Sequence, residues 1–507
     1  MTGIGDAPLT LADVERLVAG SAPLAISDAA RARIEAARQV VDTYAAGTVP
    51  VYGLNTGLGG NIGFRIDRDA IPDFQAQLVV GRNVGLGNFL PEPICRAGLL
   101  ARIAGATKGG AGLSLGVIEQ MTALFNAGVS PAIPEIGSIG AGDLGIAAHL
   151  GAALIGRGEA YYRGERLPAA VALARAGLTP IALEPKDGIA LCNASTPMVG
   201  FGVVTLAELG RLLATAIAVS ALAFEAYGAN PRIFDARIHA ARPAAGQTHA
   251  AALYRALLDG SPLVAAPRTV QDALSYRCLA PIVGSALDAY AHAVRELEIE
   301  LNGEVDSPLV LTEAGEMLSS PNFHTPSIAL AVDAITIALS HLAAAGAMRV
   351  VKLMNPTLSG LPKYLSPVGG PSAGFVPMQK TTAALEAEIR LGAAPASLGA
   401  MPVSDTVEDV APMTLLAFRK LARQMEAFRL LVAVEATVAA QAADLRTDYG
   451  LSPAAAALHG VIRSVVPRLE QDRETGPDVM AVCRRLAEPA IAAAIAERVG
   501  RLVPSGA

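Results

Sequence analysis

Long apolar segments, separated by irregular ones, fill the chain between about residues 195 and 350. One runs TPMVGFGVVTLAELGRLLATAIAVSALAFEAY from Thr196, and another runs APIVGSALDAYAHAVRELEIELNG from Ala280. Helices of about 25 residues are about 38 Å long, because each residue adds about 1.5 Å. Several such helices side by side predict a mostly α-helical protein with a long central bundle, whose apolar faces favour assembly into oligomers.

The composition narrows the possible partners. Hydrophobic residues make up 52% of the 507 residues and charged residues 17%, and the Ala-rich stretches suit closely packed helices. The net charge is −6 and there is no block of Lys and Arg, so we expect no nucleic-acid partner. In SIALAVDAITIALSHLAAAGAMR, Asp333 and His341 interrupt the apolar run, which favours a buried helix over a membrane span. We therefore expect a small-molecule substrate and no membrane partner.

The N-terminus and the cysteines favour a cytoplasmic protein. The first ten residues, MTGIGDAPLT, lack the basic and apolar segments of a signal peptide. The four cysteines are isolated, with no Cys-x-x-Cys pair and no His at ligand spacing, so neither a zinc site nor a disulfide framework is expected. We also expect no cofactor. The cysteines are Cys95, Cys192, Cys278 and Cys483.

Helix start signals and glycine-rich breaks divide the chain. Thr10 and Ser27 are the predicted N-caps of two N-terminal helices. Residues 48–65, TVPVYGLNTGLGGNIGFR, are too rich in glycine for a regular helix and are predicted to form a loop. A second break, PAIPEIGSIGAGDLG, precedes the apolar helix IAAHLGAALIG. The sequence predicts one integrated unit with two regions, residues 1–195 with both breaks and residues 196–507 with the long helices and the C-terminal region.

Seven short motifs lie in the irregular segments. In chain order they are YGLNTGLGG at 52, GSIGAGDLGIAAH at 137, KDGIALCNAS at 186, QDALSYRC at 271, SPNFHTPS at 320, LSGLP at 358 and VSDTVEDV at 403. This series resembles the histidine and phenylalanine ammonia-lyase superfamily over roughly residues 8–450. The resemblance implies a homotetramer of that mostly helical fold, with active sites shared between three subunits. It also implies elimination of ammonia from an aromatic L-amino acid to give a trans-acrylate.

The second motif departs from the family pattern at the position of the family's electrophile. Family members have Ala-Ser-Gly where this chain has Ala141-Gly142, and that tripeptide cyclises to a methylidene-imidazolone whose methylene carbon comes from Ser. Asp143 and His149 keep their register, so the Ser is deleted, and Gly142 has no Cβ from which to form a methylene. Without an electrophile an ordinary ammonium group leaves poorly, so the substrate has to carry a better leaving group.

One branch of the superfamily that lacks the electrophile is ergothionase, which eliminates trimethylamine from ergothioneine to give thiourocanate. A quaternary nitrogen leaves as a neutral amine without being protonated. The function predicted is therefore elimination of an amine from a histidine-derived betaine, with ergothioneine as the first candidate. Three further departures from histidine ammonia-lyases favour such a substrate; they are Gly81-Arg82 in place of Ser-His, Leu274 and Tyr276 in QDALSYRC, and Lys380 in place of a neutral residue.

The resemblance implies roles for three catalytic residues. Tyr52 matches the base that removes the β-proton, a role for which a phenol, with an ordinary pKa of about 10, has to be ionised. Glu408 matches an acidic residue that holds an imidazole N–H or offsets a quaternary cation. Lys380 would stabilise negative charge on a thio-imidazole as the proton leaves. The alternatives are a Tyr that packs on a lid, a solvated Glu and an ordinary surface Lys.

Five further residues are predicted to bind the substrate. Arg277 matches the anchor of the substrate carboxylate, for which the guanidinium fork is suited, and its alternative is a structural ion pair. Asn193 and Gln271 match polar contacts to the substrate, and the alternative for Asn193 is a hydrogen bond inside the core. Phe323 resembles the aromatic wall of the pocket. Arg82 is the fifth residue predicted to bind the substrate.

Two other functions stay open. The chain could act on histidine or another aromatic amino acid through an unrecognised electrophile or a cyclised loop, and an intact mass lower by two waters would support this. Alternatively, it is a catalytically silent helical scaffold or binding protein. A scaffold needs none of Tyr52, Asn193 and Arg277, which weighs against the second possibility.

Overall fold

The computed structural model describes residues 2–20 and 22–503, and most of them lie in α-helices. The mostly helical fold class predicted from the sequence is confirmed. The chain divides into two compact units, and the predicted division after residue 195 stays a prediction. Unit 1 comprises the described residues of Met1–Ala207 with Val294–Leu330 and Ala396–Arg419; unit 2 comprises Glu208–Ala293, Ala331–Pro395 and the described residues of Lys420–Ala507.

Helices and strands are numbered here in chain order. The helices are α1 Leu11–Ala19, α2 Asp28–Ala46, α3 Ile71–Gly81, α4 Glu92–Ala106, α5 Leu115–Ala127, α6 Leu144–Leu154, α7 Ala169–Arg175, α8 Asp187–Cys192, α9 Thr196–Tyr227, α10 Ala236–Ala240, α11 Ala245–Leu257, α12 Pro262–Ala265, α13 Leu274–Arg277, α14 Leu279–Asn302, α15 Pro326–Leu353, α16 Pro356–Ser359, α17 Val376–Leu391, α18 Thr414–Leu445, α19 Pro453–Arg463, α20 Thr475–Ala487 and α21 Pro489–Val499. The strands are β1 Thr2–Ile4, β2 Leu24–Ile26, β3 Leu86–Phe89, β4 Val129–Pro131, β5 Pro134–Ile136, β6 Glu159–Tyr162, β7 Glu165–Pro168, β8 Leu309–Leu311 and β9 Glu316–Leu318.

The first two helices begin where the sequence predicts. The Thr10 hydroxyl accepts a hydrogen bond from the backbone N–H of Asp13, and the Asp13 carboxylate accepts one from the backbone N–H of Thr10. The Ser27 hydroxyl accepts from the N–H of Ala30 in the first turn of α2. Both N-cap predictions are confirmed, because these bonds satisfy N–H groups that a helix start leaves free.

The long apolar segments are long helices. α9 and α18 have 32 residues each, and α14 and α15 have 24 and 28; a helix of 32 residues is about 48 Å long. By length and composition alone, Asp187–Tyr227 and Pro326–Leu353 could cross a membrane. Their apolar windows are 72% and 67% buried within the protein, which is typical of core helices. Burial of α15 agrees with the prediction made from Asp333 and His341.

Four small sheets lie in unit 1. β1 and β2 pair in parallel, with Gly3 opposite Ala25. The other pairs are antiparallel: β3 with β5, β4 with β6, β6 with β7, and β8 with β9. β6 and β7 form a hairpin over the segment EAYYRGERL. β5 ends at Ile136, so the β3–β5 pair leads the chain directly into the break GSIGAGD that precedes α6.

The glycine-rich segment of residues 48–65 is a loop, as predicted, and its apolar side chains anchor it to the core. Val51 and Leu54 lie in one buried cluster with side chains of α2 and with Ile71 of α3. A single 3-10 turn, Gly59–Asn61, is the regular structure within it. Because the cluster holds the backbone on both sides of Tyr52, core packing sets the path of this loop.

Candidate active site

The break between β5 and α6, residues 137–143, is a turn built on glycines. The backbone φ is +81° at Gly140 and +84° at Gly142, in the left-handed region that glycine adopts readily and other residues do not. Asp143 follows at +42° as the N-cap of α6. A side chain at either glycine position would therefore strain the turn.

Neighbouring backbone groups hold this turn. The N–H of Gly142 donates to the carbonyl of Phe323 at 3.1 Å, and the N–H of Thr325 donates to the carbonyl of Gly140 at 3.4 Å. A further bond of 2.9 Å joins the carbonyl of Ile139 to the N–H of the residue before α18. The turn is thus fixed by two segments of unit 1 that are remote from it in sequence.

The Asp143 carboxyl group accepts hydrogen bonds from the turn and from α9. Its Oδ2 accepts from the N–H of Met198 in α9 at 3.2 Å, and its Oδ1 accepts from the Ser138 hydroxyl. That hydroxyl also accepts from the N–H of Gly140 at 3.1 Å. Burial raises the pKa of Asp143 to about 6, although these bonds oppose the rise. One buried carboxyl group therefore organises both ends of the turn.

Asn193 occupies the space beside Gly142. A Cβ on Gly142 would lie 2.3 Å from Asn193 Oδ1 and 3.6 Å from Phe323 Cβ. The Asn193 side chain is 6% exposed, and its amide nitrogen donates to the carbonyl of Ser307 at 2.9 Å. Any side chain at position 142 would therefore displace a buried, hydrogen-bonded amide.

Tyr52 lies half-buried at the start of the glycine-rich loop. Its hydroxyl oxygen accepts a hydrogen bond of 3.0 Å from the N–H of Gly59. The Asn55 side chain accepts from the N–H of Val51 at 2.8 Å and donates to the carbonyl of Val49 at 2.9 Å. These bonds make the loop around Tyr52 a defined turn, with a backbone donor aimed at the phenol oxygen.

Glu408 lies on a hairpin next to that loop. Val403 and Glu408 exchange backbone hydrogen bonds of 3.0 and 3.3 Å, and the Ser404 hydroxyl donates to Glu408 Oε2. Ser404 Cβ is 3.7 Å from the position that a Cβ on Gly59 would take. Because Gly59 is also the hydrogen-bond donor to Tyr52, the Tyr52 loop and the Glu408 hairpin lie side by side in unit 1.

Arg82 follows the last residue of α3 and is half-buried. Its side chain forms no hydrogen bond or ion pair with any residue that the structure describes. Burial raises the pKa of the Cys192 thiol to about 12, and the guanidinium groups of Arg82 and Arg102 act against that rise. Cys192 immediately precedes Asn193. An unpaired cation therefore lies within electrostatic range of Cys192, the residue before Asn193.

A second carboxyl group near the turn is that of Glu300 in α14, which interacts with Ser195 and Asp143. Burial raises the pKa of Glu300 to about 8, with nearby Ser195 opposing the rise and the charge of Asp143 adding to it. Its Oε1 is buried and has no hydrogen-bond partner in the described part of the chain. The Ser195 hydroxyl donates to the carbonyl of Phe323 at 3.3 Å. Glu300 therefore holds its proton more strongly than an exposed Glu does, next to the segment that holds the turn.

The three other predicted residues belong to unit 2 and lie at its surface. Gln271, Arg277 and Lys380 are all exposed. Their side chains form no hydrogen bond or ion pair with the described residues, so the structural ion pair considered for Arg277 is not found there. Gln271 is flanked by the apolar side chains of Val270, 99% exposed, and Leu274, 65% exposed. Their predicted roles in binding and catalysis stay predictions.

Tyr276, which the sequence singles out beside Arg277, is a core residue. Its ring stacks on Tyr227 with centroids 4.1 Å apart, and its hydroxyl donates to the carbonyl of Arg349 at 3.3 Å. Burial raises its pKa well above the ordinary value. Arg349 Nη1 in turn donates to the carbonyl of Ser275 at 3.2 Å. Tyr276 thus anchors α13 within unit 2, while Arg277 at the end of the same helix faces solvent.

Comparisons with known proteins show which family this chain resembles. The sequence profile described as "Aromatic amino acid lyase" matches residues 9–464. A histidine ammonia-lyase of Aromatoleum aromaticum is 39% identical over 478 residues, covering 94% of this chain and 91% of the relative. A histidine ammonia-lyase of Anaeromyxobacter is 40% identical over 487 residues, covering 94% and 96%.

The chain belongs to the aromatic amino acid lyase family. It is a carbon–nitrogen lyase, as predicted, which sets aside the alternative of a silent scaffold. Among solved structures of the family, an ergothionase of Treponema denticola, determined with desmethyl-ergothioneine sulfonic acid, matches with a TM-score of 0.92. It is 30% identical, with 96% of this chain and 98% of that chain covered. A histidine ammonia-lyase of Trypanosoma cruzi matches with a TM-score of 0.89 at 30% identity, covering 99% and 96%.

For this family member, unit 1 brings five of the predicted site residues onto linked segments. Tyr52 and Glu408 lie on adjoining loops, Asn193 and Phe323 flank Gly142, and Arg82 lies near Asn193 through Cys192. A Cβ on Gly53 would lie 2.9 Å from Ile189 Cγ1, so the Tyr52 loop also packs closely on α8, which leads to Asn193. This arrangement can supply a phenol base, an amide, a carboxylate and a cation. Among the described residues there is no group of three or more His, Cys, Asp or Glu side chains that could hold a metal ion.

Three polar residues in this region have no role predicted from the sequence: Gln75, Asp143 and Glu300. In the sequence, Asp143 serves only to fix the register around the deleted Ser. Gln75 carries a usable signal, because Ile71, Gln75 and Leu78 share one helix face by their spacing, which places a polar side chain among apolar ones. Glu300 gives no comparable signal, because it lies in the polar stretch RELEIELNG near the end of α14.

Proposed function

We propose that this lyase eliminates a tertiary amine from a quaternary-ammonium derivative of histidine without a methylidene-imidazolone, and that its substrate is ergothioneine. The observation that carries the proposal is the turn at Ala141-Gly142. No Ser is present there, Gly142 has a φ of +84°, and Asn193 Oδ1 lies 2.3 Å from where a Cβ would be. Both the sequence and the packing support a turn that works without the methylene carbon.

The proposed elimination needs no electrophile because its leaving group departs as a neutral amine. Tyr52, as the phenoxide, takes a proton from the substrate Cβ, and the C–H electron pair forms the Cα=Cβ double bond. The Cα–N bond breaks with its electron pair going to nitrogen, so trimethylamine departs as a neutral molecule and thiourocanate remains. A quaternary nitrogen has no lone pair that could add to an electrophile, so the family's electrophile would not serve this substrate.

Contacts within unit 1 support the role of Tyr52. The N–H of Gly59, 3.0 Å from the phenol oxygen, donates a hydrogen bond that fixes the position of that oxygen. Asn193 and Phe323 provide a polar group and an aromatic ring at the same turn. The Glu408 carboxylate, on the adjoining hairpin, would hold an imidazole N–H or offset the quaternary cation.

The predicted residues of unit 2 would bind the substrate and stabilise developing charge. Arg277 would bind the substrate carboxylate through its guanidinium fork, with Gln271 as a polar contact. Lys380 would stabilise the negative charge that develops on the thio-imidazole as the proton leaves. Their exposure, together with the exposed apolar side chains of Val270 and Leu274, supports a homotetramer in which copies of the chain share active sites.

We also propose that the enzyme works in the cytoplasm. Its four cysteines all lie in the described residues and are free, and three of them, Cys95, Cys192 and Cys483, are buried. Free cysteines are typical of proteins in reducing compartments. Fractionation of the native host, followed by detection of the chain in the soluble cytoplasmic fraction, tests this.

The deciding experiment supplies ergothioneine and L-histidine in parallel to the purified protein. We expect absorbance of a conjugated acrylate and release of trimethylamine from ergothioneine, and no comparable turnover of histidine. Histidine trimethylated on its amine, without the sulfur, is the matched control that separates the leaving group from the thio-imidazole. Formation of urocanate and ammonia from histidine alone would overturn the proposed substrate.

A second candidate is histidine ammonia-lyase activity, which the names of the relatives at 38–40% identity favour. That activity requires an electrophile from some other source. An intact mass two waters below the sequence mass would support it, together with ultraviolet difference absorbance of a cyclised turn. An unmodified mass together with turnover of ergothioneine would exclude it.

A further inference from the structure

Gln75 is a fully buried polar residue in the middle of α3, at 0% exposure. The residues that share its helix face, Ile71, Leu78 and Val79, are apolar and buried. An amide in such surroundings is costly unless both of its ends are hydrogen-bonded. Two residues further on, Gln77 carries the same side chain on the exposed face of the same helix.

Both ends of the Gln75 amide bind backbone groups from two other segments. Its Nε2 donates to the carbonyl of Gly53 at 2.9 Å, and its Oε1 accepts from the N–H of Ile189 at 3.1 Å. Gly53 is the residue after Tyr52. The carbonyl of Ile189 accepts the N–H of Asn193 at 2.8 Å, so Ile189 lies one helical turn before Asn193.

Close backbone contacts leave these segments little freedom to shift. A Cβ on Gly188 would lie 2.3 Å from the carbonyl oxygen of Gln75, and a Cβ on Gly53 would lie 2.9 Å from Ile189 Cγ1. Two glycines therefore allow the Tyr52 loop, α3 and α8 to meet at short range. The Gln75 side chain is the polar link between them, and α3 itself ends next to Arg82.

We propose that Gln75 is a positioning residue that holds Tyr52 in register with Asn193 for proton abstraction. The inference rests on the proposed role of Tyr52 as the base and is independent of which amine leaves. A base acts only within hydrogen-bond reach of its proton, and a displacement of about 1 Å can cost about 100-fold in rate. Substrate binding depends on other groups, so loss of Gln75 should lower kcat more than it raises KM.

Two variants of Gln75 test the hydrogen bond that its amide donates to Gly53 and the one that it accepts from Ile189. Gln75→Met removes both hydrogen bonds, and we expect kcat to fall about 100-fold with KM changed less than about threefold. Gln75→Glu has nearly the same shape. While its buried carboxyl group is protonated it can donate to Gly53 and accept from Ile189, as Gln75 does. Once ionised, it can only accept.

The pH profile of Gln75→Glu is therefore the sharpest test. Its kcat, divided by that of the wild-type enzyme at the same pH, should be close to one at low pH and fall as pH rises. The exposed replacements Gln77→Met and Gln77→Glu are the matched controls and should keep the wild-type kcat and pH profile. Each assay uses the substrate that the wild-type enzyme turns over and is normalised to folded protein by circular dichroism.

Two outcomes would overturn the inference. One is a folded Gln75→Met enzyme with wild-type kcat. The other is a Gln75→Glu enzyme whose kcat ratio does not change with pH, a readout that stands even if Gln75→Met fails to fold. Failure of the proposed function looks different, because a Tyr52→Phe enzyme would then keep wild-type kcat whatever the Gln75 variants do.

Discussion

The two units of this lyase carry their predicted site residues in opposite ways. In unit 1, Tyr52, Asn193 and Gly142 lie on segments that are buried and joined by hydrogen bonds from side chains and backbone. In unit 2, Arg277 and Lys380 project from the surface without a bonding partner among the described residues. Only the elements beneath them are fixed, as Tyr276 fixes α13. The predicted residues of unit 1 are thus fixed by their surroundings, whereas Arg277 and Lys380 of unit 2 are exposed.

The largest effect is expected from removing the proposed base in unit 1. Tyr52→Phe removes the proposed base and leaves the ring in place, so we expect kcat to fall about 1000-fold, within the range for loss of a general base. KM should change little. Steady-state kinetics on the wild type and the variant measure this.

Tyr162→Phe is the matched control for Tyr52→Phe. Tyr162 also lies in unit 1, and its hydroxyl makes a weak exposed bond of 3.4 Å to the carbonyl of Arg175. It should keep wild-type kcat and KM. Equal losses in both variants would mean that unit 1 does not carry the chemistry in the way described here.

The next effect concerns binding through unit 2. Arg277→Met removes the proposed carboxylate anchor, so we expect KM to rise about 100-fold, as for the loss of a charge-assisted bidentate pair. Arg277→Lys keeps the charge and loses the fork, and should raise KM about 10-fold. In both variants kcat should stay within about threefold of wild type.

Arg390→Met, on the exposed side of α17, is the control for these Arg277 variants. Its guanidinium forms an exposed ion pair with Glu386 at 3.3 Å, a kind of pair that contributes little. We expect wild-type kinetics from it. If Arg277→Met instead lowers kcat at an unchanged KM, the division between a chemical unit and a binding unit is wrong.

A smaller effect is expected from filling the space at Gly142. Gly142→Ala puts a Cβ on a backbone at φ +84° and pushes against Asn193 Oδ1, so we expect a loss of about 1–2 kcal/mol in unfolding free energy and about 10-fold in kcat. Gly116→Ala, in α5, has no atom within 4 Å of the new Cβ and should be neutral or stabilising. A Gly142→Ala enzyme as active and stable as wild type would show that Asn193 is not held there.

The sequence is a good guide to this fold because the signals it contains are local. Helix N-caps at Thr10 and Ser27 and the glycine-rich breaks each act over a few residues, and the apolar stretch of α9 is continuous in sequence. These predicted elements are present. The deletion beside Gly142 is also visible from the motif alone.

Contacts between remote segments could not be predicted in the same way. The approach of Asn193 Oδ1 to Gly142 joins two motifs about 50 residues apart, and nothing in either motif encodes a distance. The two bonds of Gln75 likewise depend on how three segments meet. Leu274 and Tyr276 of QDALSYRC are counted among the departures that favour a different substrate. Tyr276 is nevertheless buried in the core, because side-chain direction in a short helix is set by packing.

The last prediction concerns stability and not turnover, and it tests how closely the segment behind the turn is packed in unit 1. Burial raises the pKa of Glu300 from an ordinary 4.5 to about 8. Between those pH values the folded chain keeps a proton that the unfolded chain has lost. The stability that Glu300 contributes is therefore full below pH 4.5 and lost as pH rises to 8.

Glu300→Gln cannot ionise, so it should be more stable than wild type by an amount that grows from near zero at pH 4.5 to roughly 4 kcal/mol at pH 8. Denaturant unfolding of both proteins across this pH range measures the difference. Glu119→Gln, on the exposed face of α5, loses only a surface ion pair with Arg31 and should show no such trend. A flat difference between Glu300→Gln and wild type would mean that Glu300 is solvated, and that the segment behind the turn is looser than its hydrogen bonds indicate.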